Sequence, residues 1–320
     1  MGFYSFIGGV ALFGVIYKFL SSVWVVLYPH ILSKRLGHVL DLKTLGKWAV
    51  ITGATDGIGK GYAKEAAKRG LNVFLISRNE ERLAATAEEI RQIAPNVETR
   101  TLAIDFGKAD ASTYQTTITE ALKDIEIGIL INNVGMSYAY PEEFLKVRGS
   151  NEEYFQNILA VNCNSAVQMT RIVLPAMIAR EKGAVVNVAS SLAFNPAPYL
   201  TVYSACKAFV DFFTRGLRSE YADSGVIFQV VYPFYVATKM SGVSRGSFLV
   251  ATPDQFAASA LDTVGIVDMT CGNFSHELQG VLMNLVPSFL LTIVMKKALQ
   301  DTRARFLRKE QKLQQSKKDE

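Results

Sequence analysis

Short apolar runs alternate with amphipathic stretches from residue 47 onward, and this alternation restricts the fold more than any other feature of the sequence. The runs have the length of buried strands, whereas the stretches between them repeat apolar residues at the spacing of helices. A chain that alternates in this way builds β-α-β units, so its strands are parallel and helices cover both faces of the sheet. The sequence therefore predicts an α/β fold with a doubly wound parallel sheet. The predicted strands are residues 49–52, 72–76, 99–105, 127–131, 184–189 and 228–232, and the predicted helices are residues 58–69, 81–93, 113–123, 154–180 and 202–218.

An apolar segment at residues 3–32 precedes this domain and is interrupted only by Lys18. It is long enough for a membrane-spanning helix, which needs about 20 residues. Residues 2–5 carry no charge, which favours an uncleaved anchor over a signal peptide; a buried helix is a further alternative. Basic residues follow the segment, and the positive-inside rule then places the downstream domain in the cytosol. These residues are Lys34, Arg35, Lys43 and Lys47.

The net charge of +5 is confined to the end of the chain. Residues 296–320 contain nine Lys or Arg and four Asp or Glu, so the rest of the chain is neutral. A neutral main domain has no basic face for nucleic acid. The three cysteines are far apart and the three histidines are scattered. Neither a disulfide framework nor a metal site is predicted, and the main domain is expected in a reducing compartment.

A glycine-rich loop, TGATDGIG at residues 52–59, joins the first predicted strand to the first predicted helix. Glycines in such a loop let the backbone turn tightly and approach a pyrophosphate, which then meets the positive end of the helix. A plain turn is the alternative, but a position after a strand and before a helix is the context that a dinucleotide-binding loop requires. The sequence thus indicates a Rossmann-type fold. The expected cofactor contacts in the loop are Gly53, Thr55, Asp56, Gly57, Ile58 and Gly59.

Further cofactor contacts are expected where later strands end. Arg78 follows the second strand, where an acidic residue would bind the ribose of NAD but an arginine suits the 2′-phosphate of NADP. Asp105 ends the third strand and can meet the adenine ring. Asn132 begins the segment NNVG after the fourth strand, which would line the floor of the cofactor site. We therefore expect NADP, in its reduced form NADPH, rather than NAD.

Tyr203 and Lys207 lie four residues apart in the predicted helix at residues 202–218, so they share one face of that helix. A free tyrosine has a pKa of about 10, and a nearby cation favours its ionised form. The pair can therefore donate and accept protons near neutral pH. A surface tyrosine beside a surface lysine is the alternative, and the dinucleotide-binding loop argues against it.

Residues 47–270 resemble the short-chain dehydrogenase/reductase family. The segments TGATDGIG and NNVG, a serine ahead of YSACK, and the YxxxK pair occur in the order and spacing of that family. The segments ATDGIGK, LISR, LINNVGMSY and VATKM further resemble its microsomal branch. That branch includes 17-beta-hydroxysteroid dehydrogenases of types 3 and 12 and very-long-chain 3-oxoacyl-CoA reductases. By the resemblance, Asn162 matches the asparagine that holds the active-site lysine through water, and Thr238 matches the threonine that contacts the nicotinamide amide.

The same resemblance implies the reduction of a keto group by NADPH. Ser190 matches the catalytic serine that binds the carbonyl oxygen of the substrate, with its neighbour Ser191 as second choice. Tyr203 supplies the proton, while Lys207 lowers the pKa of Tyr203 and holds the ribose of the cofactor. The main rival function is a catalytically silent lipid-binding or scaffold protein of the same fold, against which the intact catalytic residues argue.

An apolar pocket is expected to hold the substrate, which suits a steroid or a fatty acyl-CoA, although the same residues could close a core. The residues concerned are Phe194, Pro196, Pro198, Tyr199, Leu200, Phe234 and Tyr235. An acyl-CoA would also need cations for its phosphates. The candidates are Lys146, Arg148, Lys239 and Arg245. The sequence leaves the choice of substrate open.

The end of the chain contains a second apolar run at residues 278–295, with Pro287 in its middle. The proline is predicted to kink a helix that lies on the membrane or caps the substrate site, with buried packing as the alternative. Lys317 and Lys318 resemble the dilysine signal that returns membrane proteins to the endoplasmic reticulum. We therefore expect an endoplasmic-reticulum membrane protein with its catalytic domain in the cytosol. A homodimer is compatible with the sequence, which leaves the oligomeric state open.

Three parts of the chain are expected. Residues 1–46 form a membrane anchor and linker, residues 47–270 form the NADP-binding catalytic domain, and residues 271–320 form an apolar element and a basic tail.

Overall fold

The computed structural model of the chain describes residues 2–147 and 152–316. The strands in this part of the chain are β1 (Trp48–Thr52), β2 (Asn72–Ser77), β3 (Thr99–Ala103), β4 (Ile127–Asn132), β5 (Gly183–Val188), β6 (Val226–Val231) and β7 (Met269–Thr270). They form one sheet in the order β3-β2-β1-β4-β5-β6-β7, and every pair is parallel. The predicted fold class is confirmed. All six predicted strands are present, whereas β7 was not predicted because its two residues are too short to show a pattern.

Helices cover both faces of the sheet and create two separate cores. Alternate residues of β1 show the division, because successive side chains of a strand point to opposite faces. Ala49 and Ile51 belong to the core that contains Tyr62 and Phe256, whereas Val50 belongs to the other core. The helices are α1 (Gly2–Leu27), α2 (Ser33–Arg35), α3 (Gly57–Lys68), α4 (Glu80–Ile93), α5 (Thr119–Leu122), α6 (Glu152–Leu159), α7 (Ser165–Ala179), α8 (Thr201–Glu220), α9 (Pro253–Asp262), α10 (Phe274–Asn284) and α11 (Ser288–Ser316).

The helix predicted at residues 154–180 is interrupted. A π-helical turn at Ala160–Asn164 separates α6 from α7. Turns of this kind are uncommon and occur frequently at functional sites, because the extra residue redirects side chains. Asn162 lies in this turn and is 2% exposed. The interruption therefore affects a residue that the sequence analysis assigned to the active site.

Helix α1 carries the predicted anchor segment and is exposed along most of its length. The segment Phe6–Arg35 contains an 18-residue stretch with a mean hydropathy of 2.0 and is long enough to cross a membrane. Its far end is fixed to the domain by His30, whose Nε2 lies 3.2 Å from Glu277 Oε2 and whose Nδ1 lies 3.3 Å from Ser259 Oγ. Helix α1 is thus exposed along most of its length, and the turn that follows it is held against the domain.

Helices α10 and α11 meet at a break that contains Pro287, and their axes differ in direction by 120°. The predicted kink at this proline is confirmed, because proline removes a backbone donor and clashes with the preceding turn. Helix α11 then continues to Ser316, far beyond the apolar run. Lys317 and Lys318 lie outside the described residues.

Candidate active site

The strand order creates a crevice between β1 and β4, because the chain winds from β1 toward one edge of the sheet and from β4 toward the other. The glycine-rich loop lies at this crevice. Gly53 has a φ of +66°, and a Cβ at this position would lie 2.9 Å from the Cα of Val134. A Cβ at Gly59 would lie 2.3 Å from the carbonyl oxygen of Gly53. Only glycine fits these two positions, so the loop backbone can approach a ligand at the N-terminus of α3.

Several predicted cofactor residues meet around this loop. The Oδ1 of Asp56 accepts a hydrogen bond from the Gly57 amide at 2.8 Å and caps α3. A Cβ at Gly57 would lie 2.9 Å from Cγ2 of Thr238, which places this threonine directly against the loop. Thr55 Oγ1 lies 3.0 Å from Ser77 Oγ at the end of β2. The side chain of Ile58 packs against the core, so only its backbone faces the loop.

The side chain of Asn132 is turned into the sheet, and its contact with the cofactor stays a prediction. Its side chain is 6% exposed, and its Nδ2 donates to Asn187 Oδ1 at 2.8 Å and to Thr170 Oγ1 at 3.1 Å. The amide therefore joins β4 to β5 and α7 and does not reach the crevice. Its Oδ1 is buried without a hydrogen-bond partner among the described residues.

The next residue, Asn133, supports the loop and was not predicted individually. Its Nδ2 donates to the carbonyl oxygens of Thr52 at 3.0 Å and Gly53 at 3.2 Å. The hydroxyl of Thr52 in turn accepts hydrogen bonds from the backbone amides of Asn133 at 3.0 Å and Val134 at 3.1 Å. These bonds hold the glycine-rich loop against the segment that follows β4. The NNVG motif indicated the segment, but not which of its asparagines faces the loop.

Arg78 lies just beyond the end of β2 and is exposed. It forms no ion pair with any residue in the part of the chain that the structure describes. A guanidinium without a partner at this strand end can bind a phosphate through paired hydrogen bonds. Asp105 lies two residues beyond β3 rather than within the strand, and its Oδ1 accepts a hydrogen bond from the Gly107 amide at 3.0 Å.

Lys207, Tyr203 and Asn162 come together beside the crevice. Lys207 is 4% exposed and donates from Nζ to the carbonyl oxygen of Val188 at 3.1 Å. Tyr203 lies one turn earlier on α8, and the centroid of its ring is 5.7 Å from Nζ of Lys207. A Cβ at Gly135 would lie 3.2 Å from Asn162 Oδ1 and 3.4 Å from Lys207 Nζ. The lysine and the asparagine therefore flank the same glycine.

Asn162 fixes the segment after β4 in this position. Its Nδ2 donates to the carbonyl oxygens of Met136 at 2.7 Å and Ile158 at 2.9 Å. Its Oδ1 accepts a hydrogen bond from the Met136 amide at 3.3 Å. The π-helical turn aims the amide at this segment. The water-mediated contact between Asn162 and Lys207 stays a prediction.

Ser190 follows β5 in an extended conformation, and its Oγ accepts a hydrogen bond from the Leu192 amide at 3.2 Å. Its hydroxyl also hydrogen-bonds to the phenol of Tyr203. The neighbouring Ser191 makes a backbone hydrogen bond to Pro233 at 3.0 Å. Of the two serines that the sequence left as candidates, Ser190 is thus the one that faces Tyr203.

The protonation of Tyr203 and Lys207 is governed by burial. Burial raises the pKa of Tyr203 to about 12, and the hydrogen bond from Ser190 opposes this shift. Burial lowers the pKa of Lys207 to about 8. Lys207 is itself desolvated and bonded to Val188, and the expectation that it lowers the pKa of Tyr203 stays a prediction. Tyr203 keeps its proton at neutral pH and can act as a proton donor.

The residues expected to frame a substrate pocket have different environments. Phe194 packs against Tyr232 with ring centroids 4.6 Å apart, and Phe234 joins the same small core. Tyr235, in contrast, is 59% exposed. Phe194 and Phe234 therefore pack partly into a hydrophobic core, which is the alternative that the sequence left open for them.

The cations proposed for an acyl-CoA do not form one cluster. Lys239 lies beside the glycine-rich loop, where its Nζ is 3.3 Å from Asp56 Oδ2. Lys146 pairs with Glu143 at 2.7 Å. Arg245 is exposed, and Arg148 lies outside the described residues.

Comparison with known proteins gives consistent matches. The family model of the short chain dehydrogenases matches residues 47–246. A very-long-chain 3-oxoacyl-CoA reductase of Anas platyrhynchos is 46% identical over 84% of this chain and 85% of that protein. A very-long-chain 3-oxoacyl-CoA reductase of Homo sapiens is 43% identical over 84% of each chain. A solved short-chain dehydrogenase from Sphingobium yanoikuyae in complex with NADPH is 29% identical, has a TM-score of 0.59, and is matched over 67% of this chain and 82% of that chain.

The family model covers more than half of this chain, and the two reductases are similar over most of it. The seven-stranded parallel sheet, the glycine-rich loop at the switch point, and the meeting of Ser190, Tyr203 and Lys207 agree with these matches. The chain therefore belongs to the short chain dehydrogenase family and is an oxidoreductase.

Proposed function

We propose that this chain uses NADPH to reduce the keto group of a very-long-chain 3-oxoacyl-CoA. One observation carries the proposal. Ser190, Tyr203 and Lys207 meet at the crevice of a chain that is 43–46% identical to two proteins named very-long-chain 3-oxoacyl-CoA reductase.

The side chains at the crevice suit this reaction. Bound NADPH would supply the hydride that reduces the carbonyl carbon. Ser190 donates a hydrogen bond to the carbonyl oxygen and stabilises the negative charge that develops there. Tyr203 transfers its proton to that oxygen, which becomes the hydroxyl of the product, and the phenol regains a proton from solvent. Lys207 holds the ribose, and Asn162 positions Lys207.

The same crevice fits NADP rather than NAD. A Cβ at Gly53 or Gly59 would collide with neighbouring backbone, so the glycines permit the tight turn on which the pyrophosphate would lie at the N-terminus of α3. Arg78 is exposed and unpaired among the described residues, and it would bind the 2′-phosphate. Asp105 would meet the adenine ring, and Thr238 would contact the nicotinamide amide. For Asn132 only a backbone contact is proposed, because its side chain is bonded within the sheet.

An apolar surface at the segment after β6 supports a long lipid substrate. Its large side chains are strongly exposed: Tyr235 is 59%, Met240 60%, Phe248 66% and Leu249 54% exposed. Gln279 donates from Nε2 to the carbonyl oxygen of Leu249 at 3.2 Å, which joins this segment to α10. A steroid ketone is the competing substrate, because the same apolar surface would accept it.

We further propose that the protein is anchored in the endoplasmic-reticulum membrane with its catalytic domain in the cytosol. The exposed apolar helix α1 supports the anchor. The outer face of α11 supports a second membrane contact, because Phe289 and Ile293 are more than 60% exposed and are followed by Lys296 and Lys297. Apolar residues that end at a basic pair match the boundary between acyl chains and anionic headgroups.

In this arrangement residues 1–46 serve as anchor and linker, residues 47–270 as the catalytic domain, and residues 271–320 as the apolar element and tail. The dilysine at Lys317 and Lys318 would return the protein to the endoplasmic reticulum.

Turnover with a small substrate panel tests the proposed reaction. The purified full chain is assayed for NADPH oxidation with a long-chain 3-oxoacyl-CoA and with a 17-ketosteroid, and Tyr203→Phe is the inactive control. We expect higher kcat/KM with the acyl-CoA. A higher kcat/KM with the steroid would assign the competing substrate. No turnover with either would favour the silent lipid-binding protein.

Fractionation of microsomes tests the membrane proposal. We expect the chain to resist carbonate extraction, with an epitope at the C-terminus open to protease in intact microsomes. Release by carbonate would contradict the anchor, and a protected epitope would contradict the orientation. Replacing Lys317 and Lys318 by serine tests the retrieval signal separately.

A further inference from the structure

Helix α11 lies across two loops that flank the active site. One loop runs from Ser190 to the start of α8 at Thr201, and the other follows β4. Polar and aromatic side chains of α11 contact both loops. The contacts are Ser288 Oγ to Asn195 Oδ1 at 2.7 Å, Gln300 Nε2 to the Tyr199 hydroxyl at 2.7 Å, Arg303 Nε to Glu142 Oε1 at 2.7 Å, and the stacked rings of Phe306 and Tyr140 at 4.2 Å.

The two loops are also joined to each other. The amide of Glu142 donates to the carbonyl oxygen of Tyr199 at 2.9 Å. Any ketone that reaches Ser190 and Tyr203 must lie beside the loop between them, and Tyr199 belongs to that loop. A part of the substrate that extends away from the reacting carbon therefore meets a surface whose position α11 controls.

The pair of Arg303 and Glu142 fixes α11 in one register. The Glu142 side chain is 5% exposed and that of Arg303 is 29% exposed. Burial opposes ionisation of Glu142, but the hydrogen bonds from Arg303 and from the Glu143 amide outweigh it and lower the pKa of Glu142. A carboxylate that is buried and ionised requires its cation, so the pair permits one position of the helix and disfavours others.

Tyr199 adds evidence that this loop is held under constraint. It has a φ of +69°, a conformation that side chains other than glycine rarely adopt. Such conformations persist only where surrounding contacts hold them, and they concentrate at functional sites. Two such contacts act here, namely the bond from Gln300 to the hydroxyl and the bond from Glu142 to the carbonyl oxygen.

We propose that α11 is the roof of the substrate cleft, and that Gln300 and Arg303 are positioning residues that determine specificity for long substrates. The inference rests on the proposed reduction of an acyl-CoA. Gln300, Arg303, Tyr199 and Glu142 together form a clamp that holds the two loops against α11. A short substrate needs only Ser190 and Tyr203, whereas a long acyl chain also contacts the loop that contains Tyr199. Opening the clamp removes contacts along the acyl chain of the substrate and leaves Ser190 and Tyr203 in place.

Selectivity between a long-chain 3-oxoacyl-CoA and acetoacetyl-CoA tests the proposal on the full-length protein. Arg303→Gln should lower kcat/KM for the long substrate by about tenfold or more, mainly through KM, and change it for acetoacetyl-CoA by less than about twofold. Arg303→Lys should keep part of the selectivity. Arg305→Gln is the matched control, because Arg305 is an exposed arginine of the same helix that forms no ion pair with the residues described, and it should behave as wild type.

The exchanged pair Glu142→Arg with Arg303→Glu should recover selectivity that each single variant loses. Equal loss for both substrates in Arg303→Gln would show a structural role only and overturn the proposal, as would unchanged selectivity. If the wild-type chain reduces neither acyl-CoA, the proposed function fails instead. The same variants are then compared on a bulky ketosteroid and a small ketone. The clamp predicts that Arg303→Gln lowers kcat/KM for the bulky ketosteroid more than for the small ketone.

Discussion

The two sides of the active site are built in different ways. The proposed catalytic floor, comprising Asn162, Ser190, Tyr203 and Lys207, is set into the core, and its asparagine and lysine are 2% and 4% exposed. The clamp on the other side depends on two side-chain pairs, and one member of each is at least partly exposed. Buried groups that are bonded to backbone keep one arrangement, whereas the clamp depends on side-chain contacts between α11 and two loops that are far away in the sequence. The floor is therefore fixed by the core of the domain, and the clamp is fixed by the position of α11.

This difference assigns chemistry to the floor and selectivity to the clamp. A change in the floor should affect every substrate equally, whereas a change in the clamp should affect long substrates most. The following predictions test this division, beginning with the largest effect.

Tyr203→Phe should lower kcat by about 10²–10⁴-fold, because the variant lacks the proton donor but keeps the packing of the ring. The loss should be equal for long and short substrates, unlike that of Arg303→Gln. Steady-state turnover together with NADPH fluorescence titration measures it, and NADPH affinity should stay within about twofold of wild type. Tyr221→Phe, at the residue that directly follows α8, is the control. Near-normal turnover of Tyr203→Phe would contradict the assignment of Tyr203 as the proton donor.

Arg78→Asp should shift cofactor preference from NADPH toward NADH. A charge-assisted contact to the 2′-phosphate is worth about 1.5–3 kcal/mol, so the ratio of kcat/KM values should change by about 10–100-fold. The shift should be the same for both substrates, because the cofactor lies on the floor side. Arg171→Asp, an exposed arginine on α7, controls for the charge change. A wild-type chain that already prefers NADH would contradict the assignment of Arg78.

Asn132→Ala should destabilise the fold and leave the site working. Its amide donates to Thr170 and Asn187, so removing it leaves a buried acceptor without its donor, at a cost of about 1–3 kcal/mol in the free energy of unfolding. Chemical denaturation measures the loss. The dissociation constant of NADPH should change by less than about twofold, since the side chain does not face the crevice. A large loss of NADPH affinity with unchanged stability would show instead that the side chain contacts the cofactor.

NADPH should bind more weakly as the pH rises through about 8, where the buried ammonium of Lys207 loses its proton. Below that pH the lysine is charged and can hold the ribose; above it the charge is absent. Tyr203, with a pKa of about 12, stays protonated across this range and does not contribute. We expect the dissociation constant to rise by a few-fold, roughly 3 to 10, between about pH 7 and 9. Lys207→Met should show a flat profile, and an unchanged wild-type profile would argue against the role of Lys207.

The floor was largely predictable because its residues belong to short motifs with a physical purpose. The glycine-rich loop and the pair of Tyr203 and Lys207 were identified from spacing, and the resemblance supplied Asn162 and Ser190. The structure adds the effect of burial on the pKa of Tyr203, which no motif encodes. Which of Asn132 and Asn133 faces the glycine-rich loop likewise depends on where β4 ends, and sequence patterns locate the end of a strand only approximately.

The clamp could not be predicted. Gln300 and Tyr199 are 101 positions apart, and Arg303 and Glu142 are 161 positions apart, so no local pattern connects them. The sequence indicated only that residues 278–295 lie on the membrane or cap the site. Helix α11 extends well beyond that run, and the contacting residues Gln300 and Arg303 lie in its polar part, which hydropathy alone assigns to solvent.

The central claim is that the floor transfers a hydride from NADPH and a proton from Tyr203 to the keto group of an acyl-CoA. Its most direct test uses NADPH that carries deuterium at C4 of the nicotinamide, with a long-chain 3-oxoacyl-CoA as substrate. Both hydrogens at C4 are replaced by deuterium, because an enzyme transfers only one of the two. Mass spectrometry of the product should then show one deuterium on carbon 3 of a 3-hydroxyacyl-CoA, formed in equal amount to the NADPH consumed. Unlabelled product, or NADPH consumption at the same rate by Tyr203→Phe, would contradict the account.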